Sequence, residues 1–467
     1  MNLRQSLYFT LVGLRGQPLK ACYDRFLRED RNGIPPDTIK NLLIQLLEHC
    51  KKAVPYYGEI MGRIGSSFYD NPEEYLRSFP ILTKDIVRSH RDTLSSNDLS
   101  QRKWYLNSSS GSAGEPVQCI QDWGHAVRSG AITLLYSKLA GGEIGDFQIK
   151  LWGSMRDILD GGDTWKARTI CKIVNTTLLN AFRMTPDQMH NYIAILNTKR
   201  PKLILAYVEA IYELATFAER TGHEVVPQKA IMTSAGALHP TMRETIERVF
   251  KCPVFNRYGS REFGDIACER PGLKGLWVAP WGNYVEIVDE DGNRLPDGTE
   301  GEILVTSLVN FAMPFVRYAI GDRGVLSPHR DNDRAPYGQV LEAVVGRSCD
   351  TVRGKNGALV HGGYLGSLLY DKAWISRYQV IQKTLSCLVV RIVRSGSHYC
   401  QEELDDIAAK IRLAVGHDTE IVFEFVDEII PTISGKYRHI ISEIETLQDP
   451  HKCLQDEAPI GLKTQPS

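Results

Sequence analysis

Residues 240–250 read PTMRETIERVF, a helical stretch that places Met242, Ile246, Val249 and Phe250 on one face, and the short apolar run Val254-Phe255 follows it. Upstream, the strand-like runs IKLW (149–152) and LILA (203–206) stand in the same relation to helical stretches. Strands that alternate with helices predict an α/β body with parallel sheet over residues 104–345. Beyond it, residues 284–289 and 302–307 flank the turns Asp291-Gly292-Asn293 and Pro296-Asp297-Gly298, which predicts an antiparallel hairpin and a β-rich subdomain.

Residues 1–100 read as a helical lead-in broken by Pro35, Pro36, Pro55, Pro72 and Pro80. Past Gly346 the texture changes to a strand at 388–393, a helix at 402–415 with Leu404, Ile407 and Ile411 on one face, and a strand at 420–426. The expected organisation is therefore a large N-terminal domain (1–346), a small α+β C-terminal domain (347–447) and a loose polar tail (448–467).

At 467 residues, 43% hydrophobic and 24% charged, the chain has ample material for buried cores and two to four domains. The 55 Lys and Arg nearly cancel the 56 Asp and Glu, leaving no field to attract nucleic acid or an anionic membrane. Ten scattered cysteines lack disulfide or CxxC spacing and read as reduced thiols. A zinc site using Cys252 or Cys268 with His239 fits no standard ligand spacing. The apolar run 7–12 falls short of the roughly 20 residues that span a bilayer. It reads as a helix packed on the body, and the expected compartment is the cytoplasm.

Four segments carry chemistry. Residues 106–116 read LNSSSGSAGEP, a hydroxyl- and glycine-rich loop able to wrap phosphates, or alone a plain linker. The segment Tyr258-Gly259-Ser260-Arg261-Glu262 follows a short strand and offers an aromatic for a base and a carboxylate for Mg2+, or a simple turn with a salt bridge. In RYAIGD (317–322) a strand ends on Asp322, placed to accept bonds from ribose hydroxyls or to cap an ordinary Gly-Asp turn. Near the C-terminus PTISGKYR (431–438) sets Lys436 on a tight turn, where a lone lysine is ordinarily a solvated charge. The P-loop, dinucleotide fingerprint, nucleophile elbow and His-Glu-x-x-His patterns are not found.

Taken in order, these segments resemble the adenylate-forming superfamily of acyl-CoA synthetases, peptide-synthetase adenylation domains and luciferases. Within it the chain is most similar to the phenylacetate–CoA ligase branch and its CapK-like capsular-polysaccharide members, over roughly residues 104–440. The resemblance implies an α/β fold in which mixed and parallel sheets are sandwiched by helices, with a β-rich subdomain and a small mobile α+β domain. It assigns Ser109, Ser110, Gly111, Ser112 and Gly114 to the phosphate loop, and Ser234, Ala235 and Gly236 to the segment beside adenine and substrate. Tyr258, Gly259, Ser260 and Arg261 would bind ATP, Glu262 the Mg2+ carried with it, and Asp322 the ribose. Arg347 would approach the nucleotide, Cys349 and Asp350 would form the hinge, and Lys436 would be the catalytic lysine. Tyr207, Trp123, His125 and Ala237 are the expected acid pocket.

The implied activity is ATP- and Mg2+-dependent conversion of a carboxylic acid to its acyl-adenylate with release of pyrophosphate. Coenzyme A is the leading acceptor. Transfer to an amine or hydroxyl in polysaccharide or natural-product biosynthesis is the alternative, and a non-catalytic nucleotide-binding scaffold is the rival of another class. A homodimer is common in the branch. The pattern departs at Ala113 (threonine is usual), Val117 (often lysine), Arg261 (often threonine), Ala237 (often glutamate) and Cys349 (usually Asp or Lys).

Overall fold

A computed structural model describes residues 3–108, 117–153, 165–181, 183–328, 337–345, 351–355, 357–370, 372, 374–394, 401–429 and 439–444. The lead-in folds as helices α1 (Leu3–Leu14), α2 (Leu19–Asn32), α3 (Thr38–Ala53), α4 (Pro55–Ile64), α5 (Pro72–Arg77), α6 (Lys84–Ser89) and α7 (Arg91–Leu94). The prolines that break the pattern also start helices: Pro55 and Pro72 open α4 and α5, where no amide hydrogen is required. Asn71 and Thr83 cap α5 and α6 by accepting from the Glu74 and Ile86 amides.

The body continues with β1 (Trp104–Ser108), β2 (Gln118–Asp122), α8 (Trp123–Leu139), β3 (Gln148–Trp152), α9 (Trp165–Val174), β4 (Thr176–Asn180), β5 (Arg183–Met184), α10 (Pro186–Lys199), β6 (Leu203–Tyr207), α11 (Val208–Thr221), β7 (Ile231–Ser234) and α12 (Pro240–Phe250). Strands β8 (Val254–Ser260), β9 (Gly264–Cys268), β10 (Leu276–Val278), β11 (Asn283–Val288), β12 (Glu300–Ser307), β13 (Tyr318–Leu326) and β14 (Gln339–Val345) follow. One sheet of eleven strands, in the order β11-β12-β13-β14-β10-β9-β8-β7-β6-β3-β4, runs through all of this. From β4 to β8 it is parallel, and from β8 to β11 antiparallel. The expected β-rich excursion is thus the antiparallel half of the main sheet. The parallel half is sandwiched: α10, α11 and α12 cover one face, and α1, α2 and α8 the other.

The antiparallel half packs against α3–α7. Arg317, at positive φ (50°) and 3% exposed, locks the two together. Its guanidinium donates to the carbonyls of Phe79 (2.7 Å) and Gly292 (2.7 Å) and pairs with Glu286 at 3.3 Å. Burial raises the Glu286 pKa against the opposing pull of Arg317.

The C-terminal elements are β15 (Thr351–Arg353), β16 (Leu359–His361), α13 (Gly362–Tyr370), β17 (Ile375–Thr384), β18 (Cys387–Arg394), α14 (Gln401–Val415), β19 (Glu420–Phe425) and β20 (Ile440–Ser442). The last four strands form a sheet in the order β19-β18-β17-β20, with its own core around Tyr364, Val390, Ile407 and Ile411. The hairpin β15–β16 adds to β5 of the body, and Arg353 donates both guanidinium nitrogens to Glu213 of α11 at 2.9 and 2.6 Å.

Candidate active site

The site is built where β1–β2 meets the end of β8. Strands β1 and β2 pair antiparallel, with Ser108 opposite Gln118, so they bracket residues 109–116 from both sides. Gln121, 1% exposed, ties this hairpin to the segment after β8. Its amide donates to the carbonyls of Arg261 (3.0 Å) and Glu262 (2.9 Å), and its oxygen accepts from Asn107 at 2.9 Å. Asn107 also donates to the Arg261 carbonyl at 2.9 Å. The hairpin strands that flank the expected phosphate loop in sequence are thereby tied to the backbone of Arg261 and Glu262.

Glu262 is 7% exposed, and its carboxylate accepts a long bond (3.5 Å) from the Tyr318 hydroxyl. Burial and then the Glu262 charge raise the Tyr318 pKa. Burial, with Glu262 adding, likewise pushes the Cys119 thiol up to about 12. Val117, where a lysine is common, is fully buried in the main core and fills space there.

Tyr258 donates to Asp322 at 3.0 Å. Four strand spacings along the sheet order, roughly 19 Å in a flat sheet, lie between β8 and β13, so the sheet curls to bring them together. Two local readings need correction here. Tyr258, Gly259 and Ser260 belong to β8 itself, and Asp322 lies within β13 rather than at its end. Both were misplaced because Gly259 and Gly321 read as turn formers; at Gly259 the real constraint is packing, since a Cβ would come within 2.5 Å of the Gly264 carbonyl.

Ser234 closes β7, and the chain then turns sharply through Ala235, a non-glycine residue at φ 63°. Gly236 follows with the Glu209 carboxylate so close that a Cβ would sit 2.4 Å from it. Ala235, Gly236 and Ala237 reach solvent. Tyr207 ends β6 and stacks on Trp152 with ring centres 4.2 Å apart.

Of the other two expected pocket residues, Trp123 goes elsewhere. Trp123 faces a cleft beside α2, lined by Pro18, Arg25 and Lys103, with the Lys103 ammonium 4.9 Å from its ring centre. His125 is 3% exposed, and Ser129 lies 3.4 Å from its Nε2. Burial lowers its pKa to about 4 against the pull of Asp122. The structure places Tyr207, Ser234, Ala235, Gly236 and Ala237 at the carboxyl ends of β6 and β7, Tyr258, Gly259, Ser260, Arg261 and Glu262 at or just past the end of β8, and Asp322, within β13, against Tyr258. Ser109, Ser110, Gly111, Ser112, Ala113, Gly114, Arg347, Cys349, Asp350 and Lys436 lie outside the described residues. Gln121, Trp152, Glu209 and Tyr318 escaped the sequence reading; QCIQD (118–122) has no polar/apolar alternation that would mark Gln121 as inward.

A Mg2+–ATP complex fits this donor set. The Ser260 hydroxyl is buried without a hydrogen-bond partner among the described residues, and Glu262 offers a carboxylate with capacity beyond its one weak bond. Among the described residues no group of three or more His, Cys, Asp or Glu could hold a metal unaided. The seven described cysteines are free, and among the described residues no helix is long and apolar enough to cross a membrane.

Residues 352–443 match the CapK C-terminal domain family. The chain carries a CapK C-terminal domain on an adenylate-forming fold. It is 24% identical to CapK of Staphylococcus aureus over 277 residues, which are 59% of this chain and 60% of CapK. It is 26% identical to the phenylacetate-coenzyme A ligase of Pseudomonas putida over 330 residues, 66% of this chain and 70% of that enzyme. Less than two thirds of the length of CapK is therefore spanned. In three dimensions the chain matches a crystal structure of 2-hydroxyisobutyryl-CoA ligase in complex with 2-HIB-AMP and CoA, with a TM-score of 0.56 over 88% of this chain and 90% of that one, at 16% identity. These findings show the fold, with the small C-terminal domain included, and a likeness to CapK and to acyl-CoA ligases.

Proposed function

We propose that this chain activates a carboxylic acid as its acyl-adenylate, using Mg2+–ATP and releasing pyrophosphate, and then transfers the acyl group to coenzyme A. The observation that carries the reading is the convergence of the β1–β2 hairpin, Glu262 and the Tyr258–Asp322 pair near the carboxyl end of β8. Tyr258 would pack on the base, Asp322 would accept from the ribose hydroxyls, and Ser260 and Glu262 would hold the metal-bound phosphates. The carboxylate and the α-phosphate are both anionic, so the site must supply positive charge as they approach. That task falls to Lys436 and Arg347 by resemblance, with Mg2+ neutralising the phosphates when bound. The ligase whose fold matches was solved with an acyl-adenylate and CoA, which supports CoA as acceptor.

A second acceptor class, an amine or hydroxyl on a saccharide or carrier, is favoured by the CapK match at residues 352–443. Pyrophosphate exchange tests the first half-reaction, and AMP release with and without coenzyme A tests the second. Lys436→Ala is expected to slow exchange by about 100-fold, the scale of losing one preorganised charge partner. Wild-type exchange in that variant would refute the role of Lys436. AMP release that needs an amine and ignores coenzyme A would replace the first acceptor with the second. Mg2+–ATP binding in calorimetry without exchange for any acid would leave the nucleotide-binding scaffold, and failure to bind Mg2+–ATP would refute both readings.

A further inference from the structure

The four parallel strands β3, β6, β7 and β8 present one row of side chains at their carboxyl ends. Lys150 pairs in register with Leu205, Tyr207 with Ser234, and Thr233 with Asn256. Continued by one residue, that register aligns Trp152, Tyr207, Ser234 and Arg257 across the sheet. Because successive side chains alternate, Lys150 lies on the same face, two residues earlier on β3. The side chains confirm the row: the Tyr207 ring stacks on Trp152, and the Arg257 guanidinium reaches to 6.0 Å from the Trp152 ring centre. Ser234, Tyr207 and the turn at Ala235–Gly236 are where the activated acid would lie, so Arg257 and Lys150 form the pocket's deeper wall.

This wall is unusually cationic for an interior. Arg257 is 8% exposed. Asp265 accepts from its Nη1 at 3.1 Å, while its Nε is buried without a hydrogen-bond partner among the described residues. Asp265 also accepts from Thr133 of α8 at 2.7 Å. Lys150 makes no hydrogen bond or ion pair among the described residues. Burial lowers its pKa, and the Arg257 charge lowers it further. Glu209, an acid at the same end of the sheet, is held against Gly236. The one carboxylate bonded to either cation among the described residues, Asp265, is therefore already shared with Thr133. Burying a cation without a matched anion is unfavourable, and an arriving anion would offset that.

We propose that the acid activated here bears a second anionic group, in the simplest case a second carboxylate, which Arg257 and Lys150 receive beneath Tyr207. This rests on the adenylation reading above and narrows its substrate class to dicarboxylic acids and their like. It adds no covalent step. One carboxylate oxygen bonds to the α-phosphorus, the bond from that phosphorus to the bridging oxygen breaks, and pyrophosphate leaves with the electron pair. The second anion stays intact at the wall. Arg257 suits the task because its planar fork matches a carboxylate.

Pyrophosphate exchange with matched acids tests this: butyrate against succinate, hexanoate against adipate, phenylacetate against 4-carboxyphenylacetate, with 4-aminobutyrate as the cationic counterpart. The diacid of at least one pair is expected to lead its monoacid by about 100-fold in kcat/KM, the scale of a buried charge pair made or missed. Arg257→Leu should shrink that ratio by about 100-fold and Lys150→Met by about 10-fold. The ratio is the readout because a merely structural role would lower both acids alike. Should Arg257→Leu fail to fold, the wild-type panel and Lys150→Met still decide. Exchange with monoacids alone, preference for 4-aminobutyrate, or a ratio unmoved in both variants overturns the inference and leaves adenylation standing. Absence of exchange with every acid overturns both.

Discussion

Gln121→Leu probes whether the β1–β2 hairpin and the end of β8 act as one unit. The substitution keeps the bulk of a 1%-exposed side chain and removes three hydrogen bonds, two donated to the carbonyls of Arg261 and Glu262 and one accepted from Asn107. These losses are unequal. Arg261 still accepts from Asn107 at 2.9 Å, whereas Glu262 loses the donor that fixes its carbonyl. Two ordinary bonds at about 1 kcal/mol each, plus one buried carbonyl left unpaired at about 1–3 kcal/mol, give an expected destabilisation of about 3–5 kcal/mol. Urea unfolding followed by tryptophan fluorescence reads the loss as a lower midpoint at unchanged slope. Exchange should fall by roughly 10- to 100-fold, because a displacement of about 1 Å between loop and carboxylate spoils alignment. Gln121→Glu should be worse than leucine, since it sets a carboxylate against two carbonyl oxygens. A Gln121→Leu enzyme within about 0.5 kcal/mol of its parent, with unchanged exchange, would falsify the coupling.

Two further outcomes follow from buried charge. Burial holds the His125 imidazole at about 4, against an ordinary value of 6.5, so the unfolded chain takes up the proton first as pH falls. His125 therefore costs nothing above pH 6.5, destabilises progressively from 6.5 down to about 4, and adds nothing further below that, for a total of about 3 kcal/mol. Melting midpoints across pH 4–7 should flatten in His125→Asn; equal slopes in the two proteins would exclude His125 as the source. At the C-terminal junction, Arg353→Ala strands Glu213, whose side chain is 6% exposed, and is expected to cost about 2–3 kcal/mol, less than a fully buried pair because Arg353 is 33% exposed. Removing both charges with Arg353→Met and Glu213→Leu should restore most of that in urea titrations, and a double variant as weak as the single would show that the pair is not the cause.

Periodicity carried the regular elements. The helix at 240–250 appears as α12, with Ile246 and Phe250 fully buried, and the helix read at 402–415 appears as α14. Short-range chemistry was equally legible, since proline and asparagine mark helix starts through their own backbone needs. Long-range contact was not. Nothing in the spacing of Arg353 announces Glu213, 140 residues away, or the strand that β5 lends to the β15–β16 hairpin. Trp123 and His125 were assigned to the pocket by resemblance, yet helix geometry decides their directions: at the start of α8 Trp123 turns to the lead-in side. The site residues themselves were legible only as an ordered set resembling a family, because each segment alone has an ordinary explanation.

The distances in sequence that separate the site's partners also bear on how the site behaves. Gln121 and Glu262 are 141 residues apart, Tyr258 and Asp322 64, and Tyr318 and Glu262 56. No local unit contains the site, so its geometry exists only while hairpin, β8 and β13 are docked on one another. Each docking contact is a neutral or singly charged hydrogen bond worth about 1–3 kcal/mol, far below the stability of the cores on either side. The contacts that define the site are therefore the first to open under native conditions, ahead of the cores. A ligand that bridges Tyr258, Asp322 and Glu262 binds only the docked arrangement, and at 100 times its Kd it stabilises that arrangement by about 2.7 kcal/mol. That gain approaches the lower end of the loss expected from Gln121→Leu, about 3 kcal/mol. Saturating Mg2+–ATP should then recover much of the variant's exchange, and a defect that persists at saturation would mean that Gln121 acts on the chemistry itself and not on the docking.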